Sequence, residues 1–288
     1  MATPRRDIKL IIVGKTGVGK SATGNTVLGR YHFKSSPCAG NASVTNTFEK
    51  ASTCNRGRII TVVDCPGIKD TDLNEEDGSV LTDDAKKQIF ADAPEGFDAF
   101  LLVFLFSVRY TKEYVQTVAH LKQQFGGEFF RFCILAFTHG DAYDATETEY
   151  ESFPGWINTQ EGSFKTLVEA CGKRCVLFDN KTKDETKRTS QVDQLIKLID
   201  QRSALGLRYT GDHLKMAEFV RARNRVEAKR HLIKAESEEE NGLIKQHLDT
   251  VKSSEPKKQL QLLAGLKRRG ETLCHRIKEL DDGTGVLK

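Results

Sequence analysis

Ile8-Lys9-Leu10-Ile11-Ile12-Val13-Gly14-Lys15-Thr16-Gly17-Val18-Gly19-Lys20-Ser21 is the stretch that decides the fold. Its first six residues are nearly all apolar and rich in isoleucine and valine, the pattern of a strand covered on both faces. The next eight fit GxxxxGK[ST] and open a helix. A strand that turns through glycines into a helix beginning Lys-Ser is a phosphate-binding loop, in which backbone N–H groups and the helix N-terminus cradle phosphate oxygens. In that arrangement Lys20 reaches the β- and γ-phosphates and the Ser21 hydroxyl takes a place on Mg²⁺. Gly14, Lys15, Thr16, Gly17, Val18, Gly19, Lys20, Ser21 and the adjoining Ala22 are the expected phosphate contacts. A plain glycine-rich turn explains the glycines but not Lys20-Ser21.

Outward from this unit the pattern repeats. Residues 58–63, 99–106, 131–137 and 174–178 are further near-continuous apolar runs, and 43–51 reads as an added edge strand. Helical spacing covers about 19–28, 83–91, 111–125, 162–170 and 191–203. Alternation of this kind predicts an α/β fold, a doubly wound and mostly parallel sheet with right-handed crossovers. That domain should span 6–204. Strand signals stop after about Leu205, so 205–288 reads as a C-terminal helical extension, with a charged break at 235–242 and a fresh helix start near Pro256.

Ligands of such sheets bind beyond the carboxyl ends of the strands, which directs attention to four more loops. Asp64-Cys65-Pro66-Gly67 follows one strand about fifty residues after the phosphate loop. There Asp64 would hold a metal-bound water and the Gly67 N–H would sense a third phosphate. Thr138-His139-Gly140-Asp141 follows another. A carboxylate at Asp141 can accept from guanine N1 and its exocyclic amine, donors that adenine lacks, while His139 can stack on the base; an ordinary capped turn is the alternative. Asn180, after Phe178-Asp179, is a base contact or a routine turn residue. Arg109 lies beyond the strand 99–106, on the nucleotide face, where it could act on a neighbouring copy's phosphates or simply pair with Glu113.

Hydrolysis by this set would be slow. Ras-type switches orient the attacking water with a Gln just after the DxxG glycine, and Ile68 occupies that position. An arginine supplied in trans contributes roughly 10³–10⁵ in rate, so a dimer could compensate. A GTP-held scaffold with incidental turnover is the competing reading. A kinase or ATPase reading fails on Asp141.

Composition agrees with these expectations and removes others. The chain has 288 residues, 38% of them apolar, and a net charge of +4, too mild to point to nucleic acid. Beyond Leu205 there are 18 basic and 13 acidic residues, so the extension is weakly basic. Peripheral contact with anionic lipid is a minor alternative to a solvated helix face. Seven cysteines without a CxxC pair suggest neither a disulfide framework nor a zinc site. No run approaches a transmembrane length, and the termini show no secretory, myristoylation or prenylation signal. A cytoplasmic protein is the expectation.

In full, the loop runs on as Ser21-Ala22-Thr23-Gly24-Asn25. With Phe33-x-Ser35, Ser43-Val44-Thr45, Asp64-Cys65-Pro66-Gly67-Ile68, the box from Leu101 to Thr111, Thr138-His139-x-Asp141 and Asn180, it resembles the GTPases of immunity-associated proteins. These are also called immune-associated nucleotide-binding proteins, septin- and chloroplast-import-like relatives of Ras-type switches. The resemblance spans about 6–204. It implies a domain that takes GTP or GDP with Mg²⁺ and forms a GTP-dependent homodimer or oligomer, with related GTPases as alternative partners. By position it makes Thr45 the switch threonine reaching Mg²⁺ and the γ-phosphate, and Ser35 a nucleotide contact. The metal set is then Ser21, Thr45 and Asp64, and the catalytic set Lys20, Thr45 and Arg109.

Overall fold

The computed structural model describes residues 7–35, 48–68, 82–106, 110–143, 152–203, 206–252 and 255–281. Two compact units divide at Lys215/Met216.

The first unit is a twisted sheet with helices on both faces. Its strands are β1 (Ile8–Val13), β2 (Glu49–Asn55), β3 (Arg58–Asp64), β4 (Ala99–Leu105), β5 (Cys133–Thr138) and β6 (Cys175–Leu177), in spatial order β2-β3-β1-β4-β5-β6. Every described pairing is parallel except β2–β3. The helices are α1 (Lys20–Leu28), α2 (Asp83–Ala91), α3 (Lys112–Phe125), α4 (Phe153–Asn158), α5 (Gly162–Ala170) and α6 (Glu185–Ser203). This is the doubly wound, mostly parallel α/β architecture.

Burial explains the central strands. All six residues of β5 and six of the seven in β4 are buried, as a two-faced layer requires. Phe100 and Phe104 stand four residues apart and therefore on one face of β4. Phe100 packs on Phe125, Phe129 and Tyr209, and Phe104 on Tyr114, Phe137 and Phe164. The Tyr209 hydroxyl, fully buried, donates to the Phe125 carbonyl at 2.7 Å, so its polar end is satisfied.

Some elements depart from expectation. Residues 43–47 of the expected edge strand lie outside the described residues; the edge strand described is Glu49–Asn55, which extends past the expected end at residue 51. A two-residue hairpin loop, Arg56 (φ 49°) and Gly57 (φ 78°), returns it onto β3 in antiparallel register. Both residues are left-handed, the type I′ geometry that matches strand twist. The run expected as a strand from Arg131 begins instead as a 3₁₀ turn, Gly127–Phe132. Helix α6 starts at Glu185, six residues before the expected start at Gln191.

The second unit holds most of α7 (Gly211–Lys252) and all of α8 (Pro256–Asp281). Helix α7 runs unbroken through the charged stretch expected to end it. Glu and Lys are strong helix formers, and Lys234–Glu238 form an i,i+4 pair at 3.9 Å. Pro256 opens α8 at a first-turn position, where its missing N–H costs nothing. No described helix is long and apolar enough to cross a membrane.

Candidate functional site

The phosphate loop leaves the carboxyl end of β1 with Gly14 at φ 146°, Gly17 at 81° and Gly19 at 90°. At Gly14 a Cβ would lie 2.8 Å from the Val103 carbonyl oxygen, so β4 approaches the loop closely enough to exclude any side chain. The loop wraps Lys20, which is 7% exposed and donates to the Lys15 carbonyl at 3.0 Å. Burial lowers the Lys20 ammonium to about 8, although Asp64 nearby favours its charge. A cation held at the cost of desolvation, under a ring of backbone amides, is built for a polyanion.

Asp64 ends β3 facing this cation. Its Oδ2 accepts from the Ser21 hydroxyl at 2.6 Å, while Oδ1 is buried without a hydrogen-bond partner. Burial raises this carboxyl to about 6, against the opposing pull of Ser21 and Lys20. An orphaned buried carboxylate oxygen beside a hydroxyl fits a hard divalent cation that keeps its own waters, the coordination habit of Mg²⁺. Thr45, the third expected metal residue, lies outside the described residues, as does Arg109.

The segment after Asp64 is pinned to the phosphate loop. The Thr16 N–H donates to the Ile68 carbonyl at 3.0 Å, and the Ile68 N–H to the Gly14 carbonyl at 3.2 Å. The Ile68 side chain is 1% exposed. Gly67 immediately precedes Ile68, and a Cβ there would sit 2.7 Å from Lys20 Nζ. Its backbone is therefore beside the Lys20 ammonium.

Next in the sheet beyond β4, β5 ends at Thr138, whose hydroxyl donates to the Val18 carbonyl at 2.8 Å and ties this loop to the phosphate loop. His139 takes a left-handed φ of 60° and is half-buried, with Nδ1 3.2 Å from the Thr138 hydroxyl. Asp141, two residues on in the 3₁₀ turn Gly140–Ala142, is exposed. Gly140 N–H donates to the Phe178 carbonyl at 2.9 Å, joining the loops after β5 and β6. Asp179 is held from α6: Lys187 pairs with its carboxylate at 2.7 Å, and the Gln191 carboxamide accepts from its N–H. Burial opposes the charge of that carboxylate, yet Lys187 and the Lys181 N–H keep it below its ordinary value.

Asn180 is turned toward α1. Its carboxamide meets the Thr23 hydroxyl at 2.9 Å and the Thr26 hydroxyl at 2.8 Å. Neither threonine was singled out from the sequence, where a helical Thr reads as back-bonding to the preceding turn. Asn25 is another residue with a role that spacing alone did not show. Its Oδ1 accepts from the His32 and Phe33 N–H groups, each at 2.8 Å, and its Nδ2 donates to the Phe33 carbonyl. Gly24 lets the Phe33 ring approach, since a Cβ would lie 2.8 Å from it. The pair fixes where the chain leaves toward Ser35, which is exposed.

Lys20, Ser21, Asp64 and Gly67 thus converge on one end of the sheet, with His139, Asp141 and Asn180 on loops keyed to the same phosphate loop. Among known families, AIG1 matches residues 8–228. Immune-associated nucleotide-binding protein 8 of Arabidopsis thaliana is 31% identical over 244 residues, which cover 84% of this chain and 67% of that protein. Protein 10 of the same series is 35% identical over 246 residues, covering 79% of this chain and 50% of its own length. The chain therefore spans between half and two thirds of these relatives. Of solved structures, Toc33 from Arabidopsis thaliana in complex with GDP and Mg²⁺ is 20% identical, with a TM-score of 0.49 over 69% of this chain and 86% of that one. The extent of the AIG1 match, through the whole sheet domain and into α7, shows that this chain belongs to the AIG1 family.

Proposed function

We propose that this chain is a guanine-nucleotide switch that binds GTP or GDP with Mg²⁺ and assembles through its nucleotide face. The observation that carries the reading is the convergence of Lys20 Nζ, the Ser21–Asp64 pair and the Gly67 backbone around the phosphate loop. The names of its relatives, immune-associated nucleotide-binding proteins, agree with it. Ser21 and Asp64 would hold Mg²⁺, which would supply positive charge to offset the negative charge of the phosphates. Lys20 binds the phosphates as a point charge, the loop amides orient them, and Asp141 selects guanine through its two N–H donors.

Turnover by the single chain is slow on this reading. Ile68 presents a buried alkyl side chain and a backbone already engaged with Thr16 and Gly14, so it cannot orient water. A partner copy would supply what is missing, with Arg109 the residue proposed to reach across. The same apolar Ile68 also favours a second reading, a GTP-held scaffold in which assembly rather than hydrolysis is the output. Related GTPases are the alternative partners, and the cytoplasm the proposed compartment.

Two measurements test this. GDP should displace a fluorescent guanine nucleotide far better than ADP, and Asp141→Ala should erase that preference; equal competition by ADP in the wild type would end the guanine reading. GTP turnover per molecule should rise from sub-micromolar to tens of micromolar protein and lose that rise in Arg109→Ala. A flat, low rate selects the scaffold.

A further inference from the structure

The loops on the base side form a closed circuit of hydrogen bonds. Thr138 joins the β5 loop to the phosphate loop through the Val18 carbonyl, and Gly140 joins it to the β6 loop through Phe178. Asn180 then joins the β6 loop to α1, the helix that continues from the phosphate loop. The last link is made by side chains alone. It is also the one whose chemistry is used up internally: the Asn180 oxygen and one edge of its NH₂ are spent on the two threonines.

The hydroxyls are arranged for this. Thr23 is fully buried and donates to the Gly19 carbonyl at 3.0 Å, which leaves its oxygen lone pairs for the amide. Thr26 lies 2.8 Å from the Asn180 oxygen and 3.1 Å from the Ala22 carbonyl. Rotating the amide by 180° exchanges the roles of the two threonines but leaves both paired. From the far side, Lys187 and Gln191 of α6 hold Asp179, so Asn180 has little freedom to swing out.

We infer that Asn180 is a positioning residue whose carboxamide, clasped by Thr23 and Thr26, sets the height of the β6 loop above the base seat without touching the base. Thr23 and Thr26 then belong to the base-recognition apparatus, although they sit on the phosphate-binding helix. The inference rests on the nucleotide-binding reading above. It differs from a direct base contact in one respect: the effect of the residue passes through two hydroxyls.

The test is a ligand series against Asn180→Ala, Thr26→Val and Thr26→Ser in the full chain. The ligands are GDP, the diphosphate of 2-aminopurine riboside (which lacks the guanine oxygen and the N1 proton but keeps the exocyclic amine) and inorganic pyrophosphate (which lacks a base). Asn180→Ala, which removes both bonds, and Thr26→Val, which opens the clasp by removing one, should each weaken GDP about tenfold, within the range of one to two neutral hydrogen bonds. The 2-aminopurine nucleotide should weaken by the same factor, pyrophosphate should not change, and Thr26→Ser should bind like the wild type. Combining the two weakening substitutions should add nothing.

Loss by Asn180→Ala on GDP but not on the 2-aminopurine nucleotide would mean a direct base contact and overturn the clasp. So would unchanged GDP affinity in Thr26→Val, or an equal loss on pyrophosphate, which would mark general damage to the helix. If the wild type does not prefer GDP to ADP, the guanine reading falls on its own, and the clasp is then judged by ADP against pyrophosphate.

Discussion

The Ser21 hydroxyl donates to Asp64 Oδ2 at 2.6 Å, while Asp64 Oδ1 is buried with no partner. One oxygen is satisfied by the phosphate-loop helix and the other is held in reserve. A fold that keeps a half-satisfied carboxylate in its interior sacrifices stability at that point for binding.

Asp64→Asn should therefore stabilise the ligand-free protein at neutral pH. Burial raises the folded carboxyl to about 6, while an unfolded Asp titrates near about 3.9. A raised folded pKa makes the neutral form favourable; that contribution is intact below the unfolded pKa and disappears as pH rises through 6. The asparagine side chain still accepts from Ser21 and carries no charge to desolvate. Urea titrations should show little difference at pH 4 and about 2 kcal/mol in favour of the variant at pH 7. The variant should also lose the enhancement of GDP affinity by Mg²⁺. A variant less stable than wild type at pH 7 would contradict this account of the carboxylate.

Gly67→Ala should separate GTP from GDP. A Cβ would lie 2.6 Å from the Thr16 Cα, which the Thr16–Ile68 bond holds in place, and 2.7 Å from Lys20 Nζ. Backbone cannot yield as a side-chain tip can, so residues 67 and 68 must shift outward. GTP affinity should then fall at least about tenfold further than GDP affinity, the scale of one charge-assisted hydrogen bond. Isothermal titration with GDP and a non-hydrolysable GTP analogue checks it, and equal losses would show that Gly67 does not face the third phosphate.

How much of this could be read beforehand follows from where the constraints are local. The strand Ile8–Val13 and the loop behind it were legible because apolar period, glycines and Lys-Ser lie within fourteen residues. The β2–β3 hairpin was not, because Arg56-Gly57 lacks the Asn-Gly or Asp-Gly signature and β2 carries few apolar residues. The run through Glu238 was read as a helix end from its charge, yet the same residues have high helix propensity. In the site, the residues proposed to meet a ligand stood out by chemical type. The bonds that join loops to one another did not: Asn180 is legible as a candidate, but its partner Thr26 lies 154 residues away, and no spacing rule relates the two.

At the opposite end of the sheet, Asp98→Ala should destabilise the domain without touching nucleotide affinity. Asp98 is 1% exposed and receives Arg208 Nε at 2.9 Å and Nη2 at 3.0 Å, with the Lys9 N–H at 2.8 Å. Removing the carboxylate leaves the largely buried guanidinium without its bidentate partner, and breaking one side of such a pair costs about 3 kcal/mol. Chemical denaturation should show that loss, with GDP affinity unchanged under native conditions. A loss below about 1 kcal/mol would mean that water reaches Arg208 and replaces the carboxylate.

Thr138→Val should weaken every base-bearing nucleotide to a similar degree. The Thr138 hydroxyl, in a residue 1% exposed, donates to the Val18 carbonyl at 2.8 Å and lies 3.2 Å from the Phe104 carbonyl. Valine keeps the shape and removes the donor, so the buried Val18 carbonyl loses this bond, at a cost of about 1–3 kcal/mol. The link runs from the phosphate loop to the loop after β5 and makes no described bond to the segment around Gly67, so GDP and GTP should lose affinity by the same factor. Thr138→Ser should retain it, because the hydroxyl survives. Preferential loss of GTP in Thr138→Val would show instead that this residue acts on the third phosphate, and the division between a base side keyed by Thr138 and a phosphate side keyed by Gly67 would have to be abandoned.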